Sequence, residues 1–378
     1  MDFNFTEDQV AIRDLARQIL RDHASDEQVH AQAQTGAAYD TELWQQFAEA
    51  GLLGVALPEA YGGIGLGITE LCLILEEQGR FVAPLPLYSA LVLGGLSVAQ
   101  FGSDQQKDIL LTGLATGEHL LTGAFAELGM SPAGIVPMTA TADGAGYRLT
   151  GVRQAVPFAA QSAAIVVPAQ TETGTVLLLV KPDQAGVSLD EALSTNGQPC
   201  ATLHADEVVI EAAAVLVDEA RSDAAINWIE QHAQTALVAI QIGVMEESLK
   251  RTAEYTTDRK QFGTAIAGFQ STTIRCADAY IDVEATRSAY WKALWLLAEG
   301  QEALANVWAA KWWASTGGHR VAHTAQHLHG GIGSDIDYPL HRFFLWTKQN
   351  TLSLGGSNQQ LAKIGAQLAD AEQLEAVI

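Results

Sequence analysis

Residues 255–270, which read Tyr-Thr-Thr-Asp-Arg-Lys-Gln-Phe-Gly-Thr-Ala-Ile-Ala-Gly-Phe-Gln, decide how the rest of the chain is interpreted. This stretch predicts the end of one helix and a turn at Gly263 that leads into another helix, with the basic residue Arg259 between them. An arginine considered alone is more often a surface residue than a binding residue. A function can therefore be assigned to this stretch only together with a second feature.

The second feature is residues 327–339, which read His-Leu-His-Gly-Gly-Ile-Gly-Ser-Asp-Ile-Asp-Tyr-Pro. Paired glycines after a helix, here Gly330 and Gly331, let the backbone approach a ligand closely. The backbone N–H groups of such a turn can bind an anion. On the residues alone, a helix–helix corner without a ligand is the alternative.

Helical patterns occur in the N-terminal part of the chain and again in its C-terminal part. Thr6 and Gln9 form a possible capping box before a helical stripe. Residues 71–81 again have helical spacing, and long helices return from about Ala224. The apolar stripe of the first long helix consists of Leu237, Ile240, Val244, Met245 and Leu249.

The middle of the chain, residues 121–215, has a β pattern instead. Short runs typical of strands are separated by turn residues such as Asp143-Gly144 and Asn196-Gly197. The runs are Tyr147–Leu149, Ala163–Val167, Val176–Val180 and Val208–Ile210. We therefore expect three domains: a helical domain at 1–120, a β domain at 121–223 and a helical bundle at 224–378.

Composition narrows the class of protein. The 378 residues include 21 basic and 44 acidic side chains, a net charge of −23, which disfavours binding to nucleic acid or to an anionic membrane. We find no apolar run of ~20 residues and no signal segment, so we expect a soluble cytoplasmic protein. Three widely spaced cysteines indicate neither a zinc site nor a disulfide framework.

Several common site motifs are absent from the sequence. No G-x-G-x-x-G, G-x-x-x-x-G-K-[ST] or G-x-S-x-G pattern occurs, so Rossmann, P-loop and α/β-hydrolase sites have no support. His319, His323 and His327 lie four residues apart on one helical face. They lack carboxylate support at helical spacing, and we expect no metal site there.

Together, the two glycine-containing stretches resemble the acyl-CoA dehydrogenase family. The family pattern reads Arg-x-Gln-Phe-Gly…Phe-Gln, followed by Gln-x-His-Gly-Gly-x-Gly…Glu-Tyr-Pro, and Pro58–Gly65 matches a further family loop. The resemblance covers nearly the whole chain. It implies a mainly α fold with a central β-barrel-like domain and a C-terminal four-helix bundle. It also implies a tetramer.

The resemblance implies FAD as the cofactor, bound between two subunits. Arg259 would contact the pyrophosphate, because its planar guanidinium can pair with two phosphate oxygens. The glycine turn would receive the dinucleotide. The full set of expected FAD-binding residues is Arg259, Gln261, Phe262, Gln270, His327, Gly330 and Gly331. His327 stands where the family usually has glutamine, but imidazole can still donate one hydrogen bond.

The catalytic base of the family is missing from this sequence. A carboxylate normally removes the α proton of the thioester while the β hydrogen passes to the flavin as hydride. The family's usual base position falls on Leu354, or on Gly355 with a one-residue shift, and the alternative position falls on Ala233. None of these residues can accept a proton. Glu230, one helical turn before Ala233, is a weak candidate.

The residues that normally hold the flavin ring are also changed. The first family strand, Thr-Glu-Pro-x-x-Gly-Ser-Asp, corresponds here to residues 126–132, which begin Ala126-Glu-Leu-Gly. The second, Lys-x-Trp-Ile-Thr, corresponds to Arg153–Pro157, so that Ala155 replaces tryptophan and Pro157 replaces threonine. Proline cannot donate a backbone hydrogen bond.

This chain therefore keeps the groups that reach a neighbour's flavin and lacks those that hold its own. The pattern resembles the base-lacking subunit of α2β2 acyl-CoA dehydrogenases that act on steroid side-chain CoA esters. We expect an acyl-CoA substrate, a homologous base-bearing partner and an acceptor of the electron-transferring flavoprotein type. Two alternatives stay open: a homo-oligomeric flavoprotein with a relocated base or other chemistry, and a flavin-free scaffold or regulatory subunit.

Overall fold

The computed structural model describes residues 4–126 and 138–370. Its α-helices are α1 (Glu7–His23), α2 (Asp26–Gln34), α3 (Thr41–Glu49), α4 (Ile68–Phe81), α5 (Ser97–Phe101), α6 (Asp104–Ala115), α7 (Glu219–Asp258), α8 (Gln270–Ala298), α9 (Leu304–His329), α10 (Leu340–Leu352) and α11 (Ser357–Asp370). A π-helix, Tyr88–Leu96, runs directly into α5. Short 3-10 helices occupy Leu52–Gly54, Glu59–Tyr61, Ala159–Gln161, Ala212–Ala214, Ile266–Gly268 and Gly330–Ser334.

The β-strands of the described residues are β1 (Leu120–Gly123), β2 (Thr139–Asp143), β3 (Gly146–Pro157), β4 (Ser162–Gln170), β5 (Thr175–Val180), β6 (Val187–Leu193), β7 (Pro199–Ile210), β8 (Val215–Val217), β9 (Lys260–Gln261) and β10 (Thr264–Ala265). The first eight strands form one sheet with the order β6-β7-β3-β2-β4-β5-β8, and β1 pairs with β4. The pair β9-β10 is a separate two-stranded hairpin. The fold is therefore mainly α with a central sheet, as the sequence predicts.

Contacts divide the chain into two compact units. The helical unit comprises Met1–Gln34, Cys72–Ala83 and Gln234–Ile378, and the sheet unit comprises Thr35–Leu71 and Pro84–Ala233. The three-domain division at 1–120, 121–223 and 224–378 stays a prediction. No helix among the described residues combines the length and apolar character that crossing a membrane requires.

The sheet unit has its own apolar core. Leu149 of β3, Ile165 of β4, Leu178 of β5 and Leu203 of β7 are fully buried in one cluster. Burial of a side chain of this size contributes about 1.5–3 kcal/mol. Most neighbouring strands are antiparallel, whereas β1 and β2 pair with β4 in parallel. This core includes β3, which carries the altered flavin-ring segment and pairs with β7 with register shifts at Leu149/Gly151 and Arg153/Val156.

The helical unit is built around the close crossing of α4 and α7. A Cβ atom added to Gly79 would lie 2.0 Å from the carbonyl oxygen of Ile240, and one added to Gly243 would lie 1.9 Å from that of Glu76. Both distances are impossible for real side chains, so the backbones touch where glycine permits it. Met245 of α7 also packs with Val283 of α8 and Val321 of α9.

A network of ion pairs joins four helices of this unit. Arg17 of α1 pairs with Glu77 of α4, with Nη2 and Oε1 2.7 Å apart. Arg80 and Arg287 each pair with both Glu76 and Glu246. Every buried carboxylate of this network has an arginine partner, and removing one partner would leave a buried charge uncompensated.

The structure confirms most of the local predictions. Thr6 and Gln9 form the capping box, and the stripe Leu237, Ile240, Val244 and Met245 is buried. α7 begins at Glu219 rather than near Ala224, because its first turn is polar and carries no apolar periodicity. The pattern also missed β6, an edge strand of mostly exposed residues that pairs with β7.

Candidate functional site

The first site segment is Arg259 and the hairpin β9-β10, which connect the end of α7 to the start of α8. The backbone N–H of Arg259 donates to the carbonyl of Tyr255 at the end of α7, and its own carbonyl accepts from Ile266 at 2.9 Å. The side chains of Arg259, Lys260, Gln261 and Phe262 are exposed. Phe262 is 96% exposed and has φ of +53°, a conformation that side-chain-bearing residues rarely adopt. Nothing among the described residues of the helical unit covers this aromatic ring apart from an edge contact with Phe269.

Arg259 borders an open cavity of about 970 Å³. Two other arginines in its wall are already engaged: Arg251 pairs with Asp26 at 2.6 Å, and Arg342 donates to the carbonyl of Asp26 at 3.0 Å. The guanidinium of Arg259 has no ion-pair partner among residues 4–126 and 138–370. Arg259 is therefore the arginine of this cavity that is available to bind a phosphate.

The second site segment is the glycine turn that ends α9. Gly330 has φ of +67° and ψ of −142°, which favours glycine strongly. A Cβ atom added at Gly330 or Gly331 would meet no atom within 4 Å, so the backbone faces open space. An exposed glycine backbone of this kind can be approached closely by a ligand.

These two segments fit the phosphate end of a flavin dinucleotide. The donor set is one available guanidinium and the N–H groups of an open glycine turn, and each is of a kind that binds an anionic phosphate. Six acidic residues also line the cavity (Asp26, Glu27, Glu247, Glu254, Asp258 and Asp337). These carboxylates would repel a phosphate, so affinity at this position depends on Arg259 itself.

The remaining expected FAD-binding residues lie on the same two segments. Gln261 is in the hairpin, where its amide donates to the carbonyl of Lys260 at 2.7 Å. Gln270 is the first residue of α8 and is exposed. His327 is exposed in the last turn of α9. Their roles toward FAD stay predictions.

Leu354, where the resemblance places the usual base, is an apolar side chain in a tightly held turn. Leu354 is only 5% exposed and has φ of +54°. Its carbonyl oxygen accepts hydrogen bonds from Gln234 Nε2 at 3.3 Å and from Gln360 Nε2 at 3.0 Å. The turn is thus fixed by side chains of α7 and α11, although Leu354 and Gly355 offer no proton acceptor.

A buried lysine holds the same turn from α9. Lys311 is 1% exposed, and its Nζ lies 2.8 Å from the carbonyl oxygen of Asn350 and 3.2 Å from those of Thr351 and Gly355. Burial lowers the pKa of the Lys311 ammonium to about 7. The three carbonyls favour the protonated form, which donates one hydrogen bond to each of them.

The alternative base position offers no carboxylate either. Ala233 is 1% exposed, and Gln234 directly after it contacts the Leu354 carbonyl. Two residues from Glu230, His232 stacks on Trp228 and donates from Nδ1 to the Trp228 carbonyl at 2.7 Å. Burial lowers the pKa of His232 to about 4. Glu230 itself is buried in the sheet unit, at 8% exposure.

The altered flavin-ring segment lies on β3 in the sheet unit. Ala155 is exposed, has φ of +52°, and sits in a register shift between Arg153 and Val156. Arg153 is buried and donates to the carbonyl of Pro168 at 2.7 Å. The Pro157 carbonyl accepts from the Thr122 hydroxyl. Of the other altered segment, residues 126–132, only Ala126 lies within the described residues.

The three histidines of α9 do not assemble a metal site in the structure. His319 Nδ1 and His323 Nε2 lie 2.8 and 3.0 Å from Lys348 Nζ, so an ammonium group stands between them. Within the described parts of the chain, no group of three or more His, Cys, Asp or Glu side chains is placed to hold a metal ion.

Comparison with known proteins identifies the family. The acyl-CoA dehydrogenase N-terminal domain matches residues 6–118, and the acyl-CoA dehydrogenase C-terminal domain matches residues 225–369. The acyl-CoA dehydrogenase FadE27 of Mycobacterium tuberculosis (strain ATCC 25618 / H37Rv) is 37% identical, over 88% of this chain and 89% of that protein. The chain belongs to the acyl-CoA dehydrogenase family and is an oxidoreductase of that family.

Two solved structures show which members of the family this chain is similar to. The ChsE4-ChsE5 complex from Mycobacterium tuberculosis contains a chain that is 35% identical, with a TM-score of 0.93 over 99% of this chain and 100% of that one. A single-residue variant of the Tcur3481-Tcur3483 steroid acyl-CoA dehydrogenase contains a chain that is 41% identical, with a TM-score of 0.89 over 96% and 98%. The chain is thus similar to steroid-type acyl-CoA dehydrogenases built from two different subunits.

Sequence analysis missed the groups that support the site. Lys311 had one signal, a lysine inside an otherwise apolar stretch of α9, where an unpaired charge would be costly to bury. Gln234 and Gln360 had none, because a glutamine on a helix is usually exposed.

Proposed function

We propose that this chain is the base-lacking subunit of an α2β2 FAD-dependent acyl-CoA dehydrogenase and completes the FAD site of a base-bearing partner. One observation carries the proposal. The base positions hold Leu354, Gly355 and Ala233, while Arg259, without an ion-pair partner in the described chain, and the open Gly330–Gly331 backbone remain available. Two similar solved structures are named as assemblies of two different proteins, which supports the heteromeric part of the proposal.

The proposed division of chemistry follows from these residues. When bound, FAD supplies the acceptor for the β hydrogen of the thioester. This chain contributes charge neutralisation and positioning at the dinucleotide phosphates, through Arg259 and the glycine turn. The α proton must leave to a carboxylate of the partner, because no proton acceptor occupies the base positions here.

The proposed substrate is an acyl-CoA thioester, and its steroid side-chain character is carried over from the 41% identical structure. We propose an electron-transferring flavoprotein type of acceptor for the reduced flavin. The net charge of −23 gives no long-range attraction for a CoA anion. Substrate affinity must therefore come from local contacts.

Flavin stoichiometry tests the proposal. The tagged chain is purified with the partner it assembles with in its host, and heat-released FAD is quantified against an independently determined complex mass. We expect two FAD per tetramer. Each heterodimer should have one complete site and one site without ring contacts, where phosphate contacts alone must offset the ordering of a flexible dinucleotide. Four FAD per tetramer would show that β3 still holds the ring and would overturn the proposal.

A further inference from the structure

The two site segments, about 70 residues apart in sequence, are joined by aromatic stacking. The imidazole of His329, directly before Gly330, stacks on the ring of Tyr255, with centroids 4.3 Å apart and planes at 19°. Tyr338, after the glycine turn, lies 5.6 Å from the same imidazole. The three rings connect the end of α7 with both sides of the turn.

Backbone hydrogen bonds extend this connection to the phosphate-binding arginine. The carbonyl of Tyr255 accepts from the backbone N–H of Arg259 at 2.8 Å. The Tyr255 hydroxyl donates a long hydrogen bond, 3.4 Å, to the carbonyl of His329. Tyr255 therefore contacts Arg259 through its backbone carbonyl and the residue before the glycine turn through its ring and hydroxyl.

The environment of His329 suits a neutral aromatic ring that stacks on a neighbour rather than an acid or a base. Its Nδ1–H donates to the carbonyl of Ala325 at 2.8 Å, which fixes the plane of the ring. Burial lowers the pKa of His329, so the ring is neutral near pH 7. Its Nε2 is buried and has no hydrogen-bond partner among the described residues.

We propose that His329 is a positioning residue: by stacking on Tyr255 it fixes the Gly330–Gly331 turn relative to Arg259, so that both can engage one dinucleotide. The inference rests on the proposed function. A phosphate held by two separate segments needs them at a fixed spacing, because a misplacement of about 1 Å weakens contacts made by both.

Three variants of the purified complex test this role by fluorescence titration of the apo-complex with FAD. His329→Ala removes the stack, and we expect FAD affinity to fall about three- to tenfold, the size of a typical aromatic pair interaction. His329→Phe keeps an aromatic plate without either ring nitrogen, and we expect affinity within about twofold of wild type. His323→Ala, an exposed histidine of the same helix, should leave affinity unchanged.

A double-mutant cycle separates positioning from general destabilisation. Tyr255→Ala and His329→Ala should each weaken FAD binding, and the double variant should be little weaker than either, because both remove the same stack. Unchanged affinity in His329→Ala, additive losses in the cycle, or His329→Phe as weak as His329→Ala would each overturn the inference. A wild-type complex that binds no FAD would instead refute the proposed function.

Discussion

The glycine turn at Gly330–Gly331 and the bulge at Ala155 are both places where family resemblance puts a flavin, and they differ in what they offer. The turn presents open backbone, and the same unit carries Arg259 without an ion-pair partner in the described chain. The bulge presents an exposed methyl group and a proline carbonyl already bonded to Thr122. A homomer that was losing its cofactor would be expected to lose both halves. Retention of one half fits a chain that serves a neighbour's flavin.

The largest expected effect concerns turnover by the isolated chain. We expect turnover of a panel of acyl-CoA esters, with an external electron acceptor, to be at least about 10²–10⁴-fold below that of the complex, because in the proposed function the partner supplies the base. Leu354→Glu in the isolated chain should also stay inactive, because β3 lacks ring contacts. Turnover by this variant would show that the bulge holds a flavin and would break the comparison.

A relocated base can be tested in the same assay. Glu230→Gln in the complex should leave turnover within about twofold, because the partner supplies the proton acceptor. A loss of two orders of magnitude would instead favour a homo-oligomeric enzyme that uses Glu230.

The next largest effect concerns Arg259, the expected phosphate-binding residue. Arg259→Ala should lower the FAD affinity of the complex about tenfold to a hundredfold, since a charge-assisted hydrogen bond contributes about 1.5–3 kcal/mol. Arg221→Ala is the matched control, because Arg221 is exposed and pairs with Asp218 on the surface. Equal FAD affinity of the two variants would show that Arg259 is a surface residue without a role in FAD binding.

A further prediction concerns the stability of the helical unit, which contains both Arg259 and the glycine turn. Gly243→Ala forces a Cβ atom against the Glu76 carbonyl, and we expect a loss of about 1–3 kcal/mol in unfolding free energy by urea titration. Gly365→Ala, in α11 with open space around it, should instead gain up to about 1 kcal/mol from helix propensity. A Gly243→Ala variant as stable as wild type would show that α4 and α7 can separate without cost.

The last prediction concerns the turn at Leu354 and Gly355, which Lys311 holds from α9. The folded pKa of Lys311, about 7, is below its unfolded value near 10.5. The unfolded chain therefore binds one more proton between these values, and this group makes folding stability rise with pH by about 1.4 kcal/mol per pH unit there. Below pH 7 both states are protonated, and the slope from Lys311 vanishes.

Lys311→Met tests this slope, because it removes the titrating group. The pH dependence of unfolding free energy between about pH 7.5 and 9.5 should be less steep in the variant than in wild type, by one proton. Parallel curves would mean that Lys311 keeps its charge throughout, held by the three carbonyls.

Local sequence determined those parts of the fold that neighbouring residues decide. The capping box of α1 needs only Thr6 and Gln9, and the buried stripe of α7 follows helical periodicity. The turns at Gly263 and at Gly330–Gly331 were predicted because glycine marks such turns in the sequence, whereas the β9-β10 hairpin was not predicted. The assignment of Leu354 to the usual base position came from family resemblance rather than from local sequence, and it stays a prediction.

Only the tertiary structure decided which side chains support the site. Nothing in the sequence pairs Tyr255 with His329, or Lys311 with the Gly355 carbonyl, because these contacts join helices distant along the chain. The motif singled out Arg259, but the sequence could not show that Arg251, in the wall of the same cavity, is already engaged. The fold alone engages Arg251 with Asp26 and leaves Arg259 without an ion-pair partner among the described residues, because pairing depends on distance in space.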